Sequence, residues 1–339
     1  MLPAVVLAAL AAEAGLIVSQ VGNGATFGHI RWTWLAIAGA AEVVSVLSLG
    51  ALYRPLLRAG GVVVTPGRGL ALGSAASAIT ASVPAGTAIA SGYLFKQFRR
   101  AGGSAGLAGW AVAIAGTLSL VGFSAVIAAG ATIGSSDPLD AAWQVGGIGV
   151  ALALVFIGGS TVLIRRPAAL RRVLAPAFRH FPGPKANRTA REARLTAAID
   201  QLTAIRPSAG VLVTAFCFAL LTWASDLVVF LLSLRAVGIA GVALSSAVLA
   251  YAAGLATVSI SVVPGGIGTV EAGMLIALTN AGATGSMATA GVVIYRVLAY
   301  VLVAAAGWMV FAALRRRDGR RADVRNVPRG TFADATSRN

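Results

Sequence analysis

Four carboxylates and one guanidinium sit inside long apolar stretches of this chain: Glu13, Glu42, Asp226, Glu271 and Arg296. Ionisable side chains in such surroundings are costly and are kept where they pair, bind or carry protons. A guanidinium there can contact an anionic group such as a phosphate, and carboxylates can orient it or take up protons. Glu271 lies ten residues before Ala281, and Arg296 ten residues after Ser286. Two helices joined by the short loop between those points bring both side chains to one level, ~15 Å from the loop at 1.5 Å per residue. Asp226, ten residues before Ala236, reaches a similar depth, and Glu42 lies nine residues into its own apolar run. The spacing therefore predicts one shared polar centre. A purely structural Glu271–Arg296 pair, pinning one helix to the next, fits the same spacing. Tyr295 and Tyr300 flank Arg296, as lining or as packing. Counted as ionised, the five groups sum to −3, so the sign of any ligand stays open.

Other chemistry finds no support in the residues. No Ser-His-Asp set and no metal-ligand spacing occurs, so we expect no catalytic residues, no metal and no cofactor. Cys217 is the lone cysteine, and His29 and His180 lie in separate loops. The net charge of +16 does not point to nucleic acid, because the basic residues sit between apolar runs without interleaved aromatics.

The elements that must position these groups follow from hydropathy. The 339 residues are 58% apolar and 11% charged, against about 25% charged in a soluble domain, and the mean hydropathy is +0.84. Full spans are predicted at 2–21, 33–53, 105–132, 142–164, 209–235 and 287–314, each long enough for a ~30 Å hydrocarbon core. Two further apolar segments are interrupted. Val83-Pro84-Ala85-Gly86 breaks 69–98, and Pro264-Gly265-Gly266-Ile267-Gly268 breaks 245–280.

Basic residues orient the chain, because they concentrate on the cytoplasmic side. The segment 165–206 holds ten and the stretch after 314 holds eight, so both are expected inside, at a plasma membrane. The segment 133–141 carries Asp137 and Asp140 without a basic residue and is expected outside. The first interrupted segment then begins and ends inside, at Arg68 and Lys96, and must turn back within the membrane. The second does the same from outside. Both become re-entrant hairpins with tips at Pro84 and Gly86, and at Pro264, Gly265, Gly266 and Gly268. The second tip is no phosphate-binding loop, since no Lys-Ser/Thr follows it; its amides could still receive an anionic group. The basic stretch 187–205 suits an anionic leaflet or a solvated loop helix.

A shift of 180 residues lays Val83-Pro84-x-Gly86 on Val263-Pro264-x-Gly266 and Ala101-Gly102 on Ala281-Gly282, with five of 22 positions identical. With opposite orientations, the halves form an inverted repeat, a design common in transporters. The expected fold is an all-α polytopic membrane protein, an inverted repeat of about six full spans and two re-entrant hairpins. Its parts are a first membrane repeat (1–132), a further span (133–164), a basic cytoplasmic loop (165–206), a second repeat (207–317) and a basic cytoplasmic tail (318–339).

Residues 222–317 resemble the lysylphosphatidylglycerol synthase transmembrane-region family, the flippase-like part of multi-peptide resistance proteins. The resemblance rests on Trp223-Ala224-Ser225-Asp226, Ala250-Tyr251, the run Val263 to Glu271, Ile294-Tyr295-Arg296, Gly307-Trp308 and Arg315–Arg317. Arg58-Ala59-Gly60-Gly61, Val83-Pro84-Ala85-Gly86 and Phe95-Lys96-Gln97-Phe98-Arg99-Arg100 extend it over about 30–320. Where many members carry Glu and Arg after the first proline motif, this chain has small residues such as Ala88 and Ser91. The resemblance implies a member without the aminoacyl-transfer domain, not an enzyme, that binds or moves a phospholipid or other polar lipid. The alternative is a non-transporting scaffold for a lipid-modifying or cell-envelope enzyme. The residues assigned to a lipid site are Glu42, Asp226, Glu271, Tyr295 and Arg296.

Overall fold

The computed structural model describes residues 30–83, 85–133, 207–258 and 263–325, with scattered positions between 172 and 205. The expected spans 2–21 and 142–164, Glu13, Pro84, nearly all of the loop 165–206 and the tail beyond 325 lie outside the described residues.

Among the described residues every regular element is helical. The order is α1 (Trp32–Ala59), α2 (Pro66–Ser82), α3 (Gly86–Arg100), α4 (Ala105–Thr132), α5 (Ala209–Ala236), α6 (Leu244–Val258), a 3-10 turn (Pro264–Gly266), α7 (Thr269–Asn280) and α8 (Gly285–Arg296). A π-helical segment, Val297–Leu302, then leads into α9 (Val303–Arg325). Among the described residues, four helical stretches are long and apolar enough to cross a membrane: α1, α4, α5 and the continuous run Gly285–Leu314. The paired helices α2/α3 and α6/α7 have 12 to 17 residues each, about 18–26 Å at 1.5 Å per residue.

Local sequence sets the helix ends. Pro66 opens α2 behind Thr65, whose hydroxyl accepts from Arg68 N–H, and Ser104 and Ser208 cap α4 and α5 in the same way at 3.1 and 3.4 Å. Two boundaries differ from the hydropathy expectation. α1 continues through Pro55 to Ala59; proline forfeits one helical bond, and the turns after it are held by α2 and the 62–65 loop. α9 runs on past Arg315–Arg317 to Arg325, because arginine is a good helix former once the apolar run ends.

Helix association rests on small residues. Hydrophobicity does not drive apolar helices together in lipid, so close backbone approach and van der Waals contact must. α1 and α5 pack along each other more extensively than any other pair, antiparallel, with Arg31 N–H donating to Ala236 O at one end and Ser45 Oγ to Thr222 O at 3.2 Å farther along. Gly50 of α1 abuts α2, where a Cβ would lie 2.6 Å from Leu70 Cα. Gly307 of α9 abuts α2 as well; a Cβ there would overlap the Ser74 carbonyl oxygen and lie 2.7 Å from Ala78 Cβ. By contrast, Gly116 of α4 has open space around it.

Gly307→Ala should therefore lower the melting temperature of the purified protein, by an amount corresponding to about 1–3 kcal/mol of overpacking. Gly116→Ala should leave it unchanged or slightly raised, and equal melting of the two variants would contradict this packing.

Candidate functional site

The polar centre is built around consecutive residues of α8, Tyr295 and Arg296, which point in different directions because helical neighbours are ~100° apart. Arg296 is 4% exposed. Its Nε donates to Glu271 Oε1 at 2.6 Å, and a terminal nitrogen donates to the Gly265 carbonyl at 3.2 Å. The second carboxylate oxygen of Glu271 accepts from Gly268 N–H at 2.7 Å. One ion pair thus holds α8, the first turn of α7 and the 264–268 turn together. Glu271 also lies in the first turn of its own helix, where a negative charge is favoured.

The guanidinium lies over the Tyr300 ring, 4.0 Å from its centroid. The Tyr300 hydroxyl donates in turn to the carbonyl of Ala81, near the end of α2. The π-helical segment carries Tyr300, and such wide turns often mark functional sites. Gly265 is tied to the same tyrosine. Its φ is 63°, and a Cβ there would coincide with the Tyr300 hydroxyl, so glycine is required on both counts. Trp308 adds a second tie, donating from Nε1 to Ser82 Oγ at 3.1 Å. The breaks of both interrupted segments therefore meet on one stretch of helix, 296–308.

Beside this lies a second polar group. Asp226 of α5 accepts from the Tyr251 hydroxyl of α6 and from the Tyr295 hydroxyl at 3.0 Å through the same Oδ2. Phe230 packs against both rings, with centroids 5.6 and 5.3 Å away. Glu42 of α1 is buried within electrostatic reach of Asp226, and its Oε2 has no hydrogen-bond partner among the described residues. Asp226 also feels the charge of Arg296. Three carboxylates, Glu42 buried and Asp226 and Glu271 half-buried, thus lie around one buried guanidinium, which is paired with Glu271.

The structure brings together Glu42, Asp226, Glu271, Tyr295 and Arg296, with Gly265, Gly266 and Gly268 in the adjoining turn. Gly86 sits against the end of α2, where a Cβ would be 2.7 Å from Thr80 Cα. Sequence reasoning gave no role to Tyr251 and did not foresee the Tyr300 bond to Ala81, whose partners are 219 residues apart. Trp223 donates to Ser119 Oγ at 2.9 Å between α4 and α5. No cluster of metal-ligating side chains occurs among the described residues.

Membrane-length apolar helices packed around a buried ionisable centre define a polytopic integral membrane protein. Its family is shown by sequence: the family model described as "Lysylphosphatidylglycerol synthase TM region" matches residues 2–307, and the chain belongs to that family. Comparison with curated proteins finds no match.

The ion pair predicts strong coupling. Glu271→Gln leaves the buried Arg296 charge without its partner, which costs about 3–5 kcal/mol, and Arg296→Gln, which leaves the half-buried Glu271, costs less. The double variant should be less destabilised than the sum of the singles. A double-mutant cycle on unfolding of the purified protein measures this, with an interaction energy above ~0.5 kcal/mol expected and strict additivity against it.

Proposed function

We propose that this protein binds a polar membrane lipid and passes its headgroup across the plasma membrane, while the tails stay in the bilayer. The observation that carries this is the meeting of two broken apolar segments at one buried ionisable centre. Irregular backbone at membrane depth is tolerated where protein or a wet cavity covers it, and transporters place substrate sites at such breaks. In this reading α2/α3 and α6/α7 are re-entrant hairpins, entering from opposite sides, within an inverted repeat of about six spans. The loop 165–206 and the C-terminus are cytoplasmic, and the protein acts by transport, not catalysis.

Matching geometry 180 residues apart supports the repeat. Ala85 and Gly265 both have left-handed backbone, with φ of 54° and 63°, and Gly102 and Gly282 have φ of 99° and 92°. The turns after α3 and α7 carry the same pair of hydrogen bonds, Gly102 N–H to Arg99 O with Gly103 N–H to Phe98 O, and Gly282 N–H to Thr279 O with Ala283 N–H to Leu278 O.

The charge balance bears on the headgroup. An anionic group would be repelled by Asp226 and Glu42 in their ionised forms, and Arg296 already serves Glu271 and Gly265. A headgroup bringing positive charge, or protons bound with it, suits the centre better. Arg296 then positions the hairpin and does not itself hold the phosphate.

One observation favours the scaffold alternative. Arg296 and Tyr295 are 4% exposed each, and a packed centre also fits a protein that only anchors an envelope enzyme. Lipid movement separates the two. In proteoliposomes with a fluorescent phospholipid, the protein should speed the loss of inner-leaflet protection from dithionite, and Asp226→Asn or Glu42→Gln should slow it at least fivefold. A wild-type rate equal to protein-free vesicles would reject transport in favour of the scaffold.

Topology is tested separately. Cysteines replacing Arg68 and Lys96 should label from the cytoplasmic side, and those replacing Leu244 and Ala283 from outside. Labelling of either pair from opposite sides would rule out re-entrance for that hairpin.

A further inference from the structure

A cavity of about 530 Å³ opens far from the polar centre, between the C-terminal end of α1 and the N-terminal end of α5. The 62–65 loop closes a third side through Val63 and Val64. Two guanidinium groups, Arg54 and Arg58, line it. They are one helical turn apart on α1, so they share a face.

Arg54 is held in place. Its Nε donates to the Val64 carbonyl at 3.2 Å, and its stem lies on α2, where a Cβ at Gly69 would be 3.2 and 3.3 Å from Arg54 Cγ and Cδ. That leaves its two terminal nitrogens as donors. Arg58 is exposed. Among the described residues, neither arginine has a carboxylate partner. Gly210, in the first turn of the 28-residue helix α5, lines the same cavity, and that end of a helix favours negative charge. Among the described residues no carboxylate therefore pairs with this positive charge, in contrast to the acidic excess at the centre.

Most of the remaining wall is apolar, including Pro55, Val63, Val211 and Phe218, with the hydroxyls of Ser208 and Thr214 on the α5 side. Val63 is 78% exposed, although it is flanked by well-packed neighbours. Arginine forks match phosphate oxygens in geometry and charge. A free phosphate ion would have no use for the apolar walls; a lipid phosphate with its acyl chains uses both parts.

We propose that this cavity binds the phosphodiester of an anionic phospholipid, with Arg54 and Arg58 on the phosphate oxygens and the acyl chains along Val211 and Phe218. Arg68, Lys96, Arg99 and Arg100 lie at the same end of the bundle, on the start of α2 and the end of α3, so the lipid comes from the leaflet on that side. The site does not depend on lipid transport and stands whether or not the protein flips lipid.

Native mass spectrometry of the full-length protein in detergent tests the proposal, with phosphatidylglycerol and phosphatidylcholine of the same acyl chains as probes. Wild type should retain phosphatidylglycerol at least fivefold over phosphatidylcholine, and Arg54→Gln/Arg58→Gln should abolish the preference. Val211→Trp, which fills the cavity and keeps both arginines, should also lower phosphatidylglycerol retention at least threefold. Lys96→Gln/Arg100→Gln, which removes two charges at the same end outside the cavity, should change it less than twofold. If the double arginine variant is unfolded, Arg58→Gln alone, at an exposed position, should lower retention at least threefold. Soluble glycerol phosphate in excess should not displace the lipid. Equal retention of the two lipids by wild type would overturn the proposal. So would an effect of Lys96→Gln/Arg100→Gln as large as that of the arginine pair, or displacement by glycerol phosphate, which would mark a site for a free anion.

Discussion

Everything at the centre of this protein depends on the pair of the buried Arg296 and the half-buried Glu271. A chain that breaks its helices in an apolar interior must still satisfy the exposed backbone groups, because no water is there to do so. The pair meets that need twice, through the Gly265 carbonyl and the Gly268 amide. It also anchors the Tyr300 ring, which reaches the end of α2 through Ala81. The magnitudes rank these ties. An orphaned buried charge costs about 3–5 kcal/mol, a desolvated cation–π contact contributes roughly 2 kcal/mol, and a neutral hydrogen bond about 1 kcal/mol. The ion pair therefore leads, and Tyr300 transmits its position from one hairpin to the other.

Much of this was legible in the residues. Hydropathy located α4 and α5 and the starts of α1 and the last long helix within two positions, while α1 and α9 run on past their expected ends. The Pro-Gly motifs located the breaks after α2 and before α7. The Glu271–Arg296 pair could be read from equal spacing about a short loop, because helices so joined must lie side by side. Contacts across distant parts of the chain were not legible. Nothing in spacing alone links Tyr300 to Ala81, or selects Tyr251 over other span tyrosines as a donor to Asp226. Helix-facing patterns help little where both the lipid and the protein interior are apolar, so the buried face is marked by small residues such as Gly50 and Gly307 instead. The π-helical segment has no local signature either; no proline or glycine lies within Val297–Leu302.

The two charged regions differ in sign and in freedom. At the centre, carboxylates outnumber the single guanidinium, and the guanidinium is occupied. At the end of α1, two arginines face a cavity, and among the described residues neither pairs with a carboxylate. A lipid with an anionic phosphate and a cationic substituent would find a complement for each part in a different place.

The central claim is that Arg296 holds both hairpin tips, one directly and one through Tyr300. Hydrogen–deuterium exchange on wild type and Arg296→Gln in lipid nanodiscs tests it most directly. The account predicts faster exchange in the variant both at 264–271 and at 79–86, the first through the Arg296 bonds to Glu271 and Gly265 and the second through Tyr300. Faster exchange confined to 264–271, with 79–86 unchanged, would contradict it.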